Sequence, residues 1–381
     1  MLESLAPSST RRTVSASTPK PSKPPNSRRH KLPTLADVAR EAGVSDVAAS
    51  CALNGAKGST RVSVETRERV LAAAARLSYR PNATARALTY QRTNAVGFVA
   101  NIAHEEPNLY FLEVFNGVVR GATEAHQTTC IFPLSGWEEA PKRIPALCDG
   151  RVDGLVVLAP YLEDDSTTWL PPHTPVVTIH AGKLLRAQVN VEADDEAGGY
   201  DIARHMLGLG YRRILCVGGP TGVKGADLRV DGFLRAHAEA GAEVASDHVI
   251  RTWFTAGGGR QAMQEWLQRH RGQPLPEALC CGSDDIAFGC IDALEDRGLS
   301  VPQDISIAGF DDTLMARTLR MATVRQPLLE MGRHAVEVLM QLIEAQRRGE
   351  AYQGPRDIVL PVEIVRGRTL PGPRSAPLTI P

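Results

Sequence analysis

Residues 33–92 read PTLADVAREAGVSDVAASCALNGAKGSTRVSVETRERVLAAAARLSYRPNATARALTYQR. Thr34 has the side chain of an N-cap, and Asp37 stands three places on as its capping-box partner. Leu35, Val38, Ala39 and Ala42 recur at helical spacing and form one apolar stripe. Gly43 can take the left-handed conformation that ends such a helix, and Ser45 can cap the next. That second helix is expected from Asp46 to Leu53. It is rich in small residues, and Val47, Ala48, Cys51 and Ala52 spread over two faces, so one face can pack while the other enters a groove. Ser63 opens a third helix, Glu65 to Leu77, whose Val70, Leu71, Ala74 and Leu77 close a small core. Pro81-Asn82 starts a fourth. Two short helices around a tight turn, a third against them and a short fourth give a helix-turn-helix head with a hinge.

Charge supports that reading. The 381 residues carry no formal net charge, yet residues 1–92 hold 16 Lys and Arg against 6 Asp and Glu. The remainder holds 27 against 37, so a head of about +10 precedes a body of about −10. Ten of the 16 cations lie between Lys31 and Arg92, inside the expected fold. A polyanion is therefore expected at the head alone. The first 31 residues, rich in Ser, Pro, Thr and Arg, read as a disordered basic tail. They lack the apolar core of a secretion signal, and no run reaches the ~18–20 apolar residues needed to cross a bilayer. A cytoplasmic protein with no membrane partner is expected. The seven cysteines are odd in number and without C-x-x-C spacing, which suits reduced, mostly buried thiols. No metal and no cofactor are expected.

After Arg92 the period changes. Short apolar runs at 95–100, 129–134, 154–159, 176–180, 213–218, 278–281 and 305–310 alternate with helical stretches at 111–126, 196–209, 227–241, 258–270, 286–298 and 328–348. Alternation of this kind predicts parallel sheets covered on both faces. Two such series imply two lobes, split near Val191–Asp194 and rejoined near Thr323. The glycine-rich run at 218–227, GGPTGVKGAD, lacks the order of a P-loop. No other motif reads as catalytic, so no enzyme is expected.

The run LADVAREAGVS…S…ALNG…VSVETRERVLAAAARLSYRPNATARAL resembles the DNA-binding head of the lactose-repressor/galactose-repressor (LacI/GalR) family. The body is similar to that family's periplasmic-sugar-binding-protein-like core. The matching marks are Arg151-Val-Asp-Gly-Leu, Gly210-Tyr-Arg-Arg-Ile, Ser283-Asp-Asp-Ile-Ala-Phe-Gly, Val301-Pro-Gln-Asp-Ile-Ser-Ile-Ala-Gly-Phe-Asp-Asp and Arg325-Gln-Pro-Leu-Leu-Glu-Met-Gly. The expected fold class is α/β: an N-terminal all-α helix-turn-helix head plus a two-lobed parallel-sheet core. The expected divisions are tail 1–31, head 32–80, hinge helix and linker 81–92, and core 93–367. Lobe 1 is about 93–192 plus 323–348, lobe 2 about 193–322 plus 349–367, and 368–381 is a loose tail.

The resemblance implies roles for residues of this chain. Ser45, Asp46, Val47 and Cys51 occupy recognition-helix positions that face base edges, with Ser50 and Asn54 at backbone-contacting positions; Thr34 and Leu35 open the head among the DNA-contacting residues. Many relatives carry Thr at the place of Ala48 and Arg at that of Cys51. Arg can grip a guanine bidentately, a contact worth roughly 1–3 kcal/mol of discrimination, and Cys cannot. Asp46 could accept from a cytosine amino group, or simply favour the helix dipole. In the hinge, Asn82, Ala85 and Arg86 join Leu88, whose counterpart wedges a base step in the minor groove. For the body it implies an effector between the lobes, held by Tyr110, Phe111, Arg229, Trp253 or Phe254, and Asp284. Arg229 could instead be an ion pair and Phe254 plain core, while Asp285 and Asp312 read as caps or inter-lobe bonds. Trp137, Tyr161 and His180 are further pocket candidates without distinctive spacing. The function implied is a homodimeric or higher-order repressor on a pseudo-palindromic double-stranded operator, tuned by a small molecule, with a sugar expected. A transport receptor for solutes is the rival; the basic head argues against it.

Overall fold

The computed structural model describes residues 32–54, 62–101, 109–158, 170, 172–181, 189–374, 376 and 378–380. The tail 1–31 and Tyr161 lie outside them. The head, up to Ala85, and the body from Arg86 onward are separate compact units.

In the head, α1 (Leu35–Ala42), α2 (Asp46–Asn54) and α3 (Val64–Arg76) enclose a core of Val38, Ala39, Ala42, Ala49, Ala52, Val70, Ala73 and Ala74. Thr34 and Asp37 form the capping box: the Thr34 side chain accepts from Asp37 N–H, and Asp37 Oδ2 accepts from Thr34 N–H at 2.9 Å. Gly43 ends α1 at φ 66°, and Ser45 Oγ accepts from Ala48 N–H at 3.2 Å. The expected core needs one correction. Leu71 is 49% exposed and Ala73 is buried in its stead. Val70 shares its helical face with positions three and four further on, and Leu71 falls about 100° away from it. The short α4 (Ala83–Tyr90) follows, with Asn82 Oδ1 accepting from Ala85 N–H at 3.3 Å.

The first lobe is a six-stranded, wholly parallel sheet. Its chain order is β1 (Ala95–Asn101), α5 (Leu109–Glu124), β2 (Thr128–Leu134), α6 (Ala140–Leu147), β3 (Gly154–Leu158), β4 (Val176–Ile179) and β5 (Val189–Ala193). Alternate residues serve opposite faces, as a pleated strand requires. Val96, Phe98 and Ala100 of β1 meet α5, while Ala95 and Val99 meet α6. The second lobe runs through α7 (Asp195–Gly208), β6 (Ile214–Gly218), α8 (Lys224–Glu239), β7 (Val249–Arg251), α9 (Ala256–Arg269), β8 (Ala278–Cys281), α10 (Asp284–Glu295), β9 (Ser306–Ala308), α11 (Leu314–Leu319) and β10 (Thr323–Arg325). Its parallel sheet has the order β7-β6-β8-β9; α7 and α8 cover one face, α9 and α10 the other. The chain then returns to the first lobe as α12 (Leu328–Arg348) and β11 (Asp357–Leu360), and ends in the second with β12 (Glu363–Val365).

Two expected boundaries change. Strand β11 adds to β5 at the edge of the first sheet, whereas β10 and β12 pair with each other beside the second lobe. The lobes therefore exchange 323–325 and 357–360 relative to the expectation, because pairing, not chain proximity, assigns an edge strand. The C-terminal segment is no loose tail. Thr369 O accepts from Ile307 N–H at 3.0 Å, Leu378 O accepts from Leu275 N–H at 2.7 Å, and Ile380 is 2% exposed within the second core.

Glycines set the helix spacing. A Cβ on Gly199 of α7 would lie 2.1 Å from the Arg229 carbonyl oxygen of α8, and one on Gly232 of α8 would lie 2.2 Å from the Glu196 carbonyl. These helices touch backbone to backbone, which brings the side chain of Arg229 against the start of α7.

Candidate functional site

The exposed face of α2 is set by what its other face buries. Ala49 and Ala52 point into the head core, so Ser45, Asp46 and Val47 are exposed, Val47 at 63%, and Ser50 and Cys51 are half-buried beside them. Asn54 Nδ2 donates to Ser50 O at 3.0 Å and to Ser50 Oγ at 3.2 Å, tying the two together at the end of α2. Thr34 is exposed at the start of α1 and Leu35 half-buried against the core. Asn82, Ala85 and Arg86 are exposed on the hinge side; Leu88 lies in α4, and its side chain is outside the described residues.

In the body, the polar residues gather where parallel strands end, the usual place for ligands in α/β sheets. Arg229 of α8 is the centre. Its Nε donates to Asp195 Oδ1 at 2.8 Å and its Nη1 to Gly282 O at 2.6 Å, with Asp311 Oδ1 3.7 Å from Nη1. The guanidinium lies 3.9 Å from the Phe310 ring centre and 5.6 Å from that of Phe254, a cation–π arrangement. Burial opposes the charge on Arg229, but Asp195 and Asp311 outweigh it and hold its pKa up. Asp311 is itself 5% exposed and accepts from Gln326 Nε2 at 2.5 Å; burial pushes its pKa well up, helped by Asp284 and Asp285, against the pull of Arg229.

From the first lobe, Tyr110 of α5 brings its hydroxyl within 2.5 Å of His180 Nδ1, just past β4. Ala193 N–H donates to His180 Nε2 at 3.1 Å, so that nitrogen carries no proton. The proton then sits on Nδ1 and is donated to Tyr110, and the 3.7 Å approach of Nε2 to Asp195 Oδ2 is no ion pair. Burial lowers the His180 pKa, in keeping with a neutral ring, and raises that of Tyr110 well above the usual phenol value. Lys224, at the start of α8, donates to both oxygens of Glu192 on β5 at 2.8 and 2.9 Å. Glu113 of α5 accepts from Leu314 N–H at 3.0 Å and from Arg317 Nη2 at 2.6 Å on α11. These bonds join the two lobes.

The structure sorts the sequence candidates. Arg229, Tyr110, Phe254 and the added His180 are brought together; Arg229 is in an ion pair, but a buried one. Phe111 stacks at 7° on Phe115, with centroids 6.0 Å apart, at the edge of the first-lobe core. Trp253 is 68% exposed, and Trp137 packs against the core under α6. Asp284 is corrected. It is fully buried, with Oδ2 accepting from Thr313 N–H at 2.7 Å and Thr313 Oγ1 at 3.0 Å, and Oδ1 accepting from Thr323 Oγ1 at 2.7 Å. It ties the start of α11 and β10 to the start of α10 and presents no carboxylate to Arg229. Asp312 accepts from Arg325 Nε at 2.7 Å, a bond inside the second lobe rather than the cap or inter-lobe bond expected of it. Asp195, Asp311 and Glu192 were not singled out by sequence. Their signal was polar residues embedded in an apolar strand and its end, Val189-Asn-Val-Glu-Ala-Asp-Asp, and the second half of Gly309-Phe-Asp-Asp.

Residues 34–82 match the model for bacterial regulatory proteins of the lacI family, and residues 203–370 that for a periplasmic binding protein-like domain. The HTH-type transcriptional regulator DegA of Bacillus subtilis is 31% identical over 340 residues, covering 87% of this chain and 96% of the relative. The chain belongs to the lacI family. The transcriptional repressor PurR of Haemophilus influenzae, 30% identical, covers 88% of this lacI-family chain, which spans 98% of PurR in turn. Among solved structures, the lac repressor dimer bound to operator and the anti-inducer ONPF aligns at TM-score 0.76 and 26% identity, covering 89% of this chain and 99% of that one. A CelR–cellobiose complex aligns at 0.65 with 26% identity, covering 88% and 99%. The chain is thus a lacI-family DNA-binding transcriptional regulator with a ligand-binding body. No described helix is long and apolar enough to cross a membrane.

Proposed function

We propose that this regulator is a homodimeric repressor whose heads read the two halves of a pseudo-palindromic operator, and whose grip is set by a small hydroxylated effector, a sugar, held between the lobes. The observation that carries the effector half is the Tyr110–His180 pair of one lobe facing the Asp195–Arg229–Asp311 group at the start of the other. A molecule touching both can bias the angle between lobes, and linkage requires operator and effector to alter each other's affinity by the same factor. The DNA half is supported by the exposed Ser45, Asp46 and Val47 of α2 with Ser50 and Cys51 at their side. Cys51 in place of an arginine weakens guanine readout at one position, so the operator differs there from the family's usual choice. Arg229 and Tyr110 serve as effector contacts, and Leu88 as the hinge wedge.

The test is operator selection from a random duplex pool by the full chain, followed by fluorescence anisotropy with the selected duplex. Leu88→Ala is expected to lower specific affinity and leave non-specific binding and sugar binding intact. Arg229→Ala is expected to abolish the response to sugar while operator binding persists. Failure of the full chain to select any two-fold site at low ionic strength sinks the proposal.

A further inference from the structure

Between α4 and β1 the chain is held by the Asp153 carboxylate. Asp153 Oδ1 accepts from Thr93 N–H at 2.7 Å and from the Thr93 hydroxyl at 2.8 Å, and Oδ2 accepts from Asn94 N–H at 2.9 Å. Arg92 Nε lies 3.8 Å from Oδ2, and the Asp153 side chain is 10% exposed, so water competes little for these bonds. The base of the carboxylate is fixed as well. Val152 is buried in the core beside α6, and a Cβ on Gly154 would lie 2.8 Å from Leu339 Cδ1 of α12. Asp153 N–H donates to Ala95 O at 2.7 Å. The partners stand 60 and 59 residues away in sequence, so the carboxylate is not merely capping its own turn. The segment it holds has a costly shape: Gln91 and Asn94 take φ of 48° and 53°, in the left-handed region. Tyr90 ends α4, and Gln91 and Arg92 alone separate it from Thr93, a reach of about 10 Å when extended.

We propose, resting on α4 as the operator hinge, that Asp153 is a positioning residue for DNA recognition. It acts through the tether rather than by touching DNA: the carboxylate clamps Thr93 and Asn94, so a movement of the first lobe reaches α4 without slack. Sheet pairing fixes the chain only from Ala95 onward. The clamp carries that fixation back to Thr93, within three residues of α4. Without it, residues 91–94 gain backbone freedom that operator binding must remove again, and specific binding weakens. Non-specific binding is set by counterion release along the phosphates and does not require a placed hinge. Asparagine at 153 has the size of aspartate but turns an amide N–H toward one of the three donors, so the clamp opens without leaving a cavity.

The probe is a duplex selected from a random pool by the wild-type full chain. An unrelated duplex reports non-specific binding, and a third duplex carries one extra base pair between the half-sites. Fluorescence anisotropy compares wild type, Asp153→Asn, Leu88→Ala and the double variant. Asp153→Asn is expected to lower specific affinity about ten-fold, to leave non-specific affinity within about two-fold, and to narrow discrimination against the longer duplex. In the Leu88→Ala background the same change is expected to lower affinity by less than about two-fold, because a clamp that acts through the hinge has nothing left to place. Three results overturn the clamp and leave the hinge standing: undiminished specific affinity in Asp153→Asn, equal losses on the selected and unrelated duplexes, or an undiminished loss in the Leu88→Ala background. Leu88→Ala without effect on the selected duplex sinks the hinge assignment, and this inference with it. Should Asp153→Asn fail to fold, Thr93→Val keeps the carboxylate and removes one of its bonds; the same pattern is then expected at about three-fold.

Discussion

Replacing Asp284 by Asn should flatten the pH dependence of the body's stability. The carboxyl is fully buried, and burial pushes its pKa up to about 7 in spite of the donors from Thr313 and Thr323. In an unfolded chain an aspartate titrates near ~3.9. A raised folded pKa means the fold favours the protonated acid. Its contribution is fully present below the unfolded value, is lost progressively as pH rises, and is gone once the pH passes the folded value. Three units at ~1.4 kcal/mol each make about 4 kcal/mol, an upper bound for one buried carboxyl. Asparagine keeps the shape: its oxygen can accept from Thr313 N–H, and its amide can donate to the Thr323 hydroxyl. Urea denaturation of the full chain, followed by circular dichroism from about pH 5 to about pH 8, measures the difference. The wild type should lose stability relative to the variant by ~1.4 kcal/mol per pH unit below neutrality, and the variant should be the more stable at alkaline pH. Affinity for any neutral sugar that binds should change by less than about two-fold, because the side chain does not reach Arg229. Parallel pH curves would refute the buried titration. A ten-fold loss of sugar affinity at unchanged stability would make Asp284 a ligand contact after all.

Gly199→Ala should push α8 from α7, since the new Cβ meets the Arg229 carbonyl at 2.1 Å and backbone cannot swing away. We expect about 1–3 kcal/mol of destabilisation by thermal melting, with sugar affinity falling through the displaced Arg229–Asp195 pair. Thr34→Ala removes the capping box of α1 and should cost the head about 1 kcal/mol, read as earlier melting of the head with the body unaffected. Glu113→Ala removes an inter-lobe tie to Leu314 and Arg317. Because partly exposed pairs contribute ~0–1 kcal/mol, the melting point should hardly move. Sugar affinity should shift several-fold if this bond favours one lobe angle, and identical titrations would show that it does not.

The head was legible because its signals are local. Thr34, Gly43, Ser45 and Ser63 sit within a turn of the bonds they make, and small core residues recur at helical period. The long strands of the body were equally clear as apolar runs. Strands β5, β7, β10, β11 and β12 were not: β5 carries Asn190 and Glu192 between its apolar residues, and none of the other four is buried throughout, so their apolar signal is diluted. The site was half legible. Arg229 and Tyr110 could be placed by resemblance, but Asp195 and Asp311 look like ordinary loop acids until α8 is seen to bring Arg229 to them. Asp284 was misplaced for a non-local reason too: Gly309, on a different loop, lacks the Cβ that would lie 2.3 Å from Asp284 Oδ1, which leaves room for Thr313 and Thr323 to hold the carboxylate inward.

The chain threads between its lobes after β5, again after β10 and again after β11, and a last strap seals the second core at Ile380. Neither lobe is therefore a continuous piece of polypeptide. On the ribosome the head can fold once Arg76 has emerged, whereas the first lobe waits for Leu360 and the second for Ile380. A nascent or prematurely ended product would carry a finished head on an unfinished body with bare sheet faces, the kind of species that chaperones hold and proteases remove.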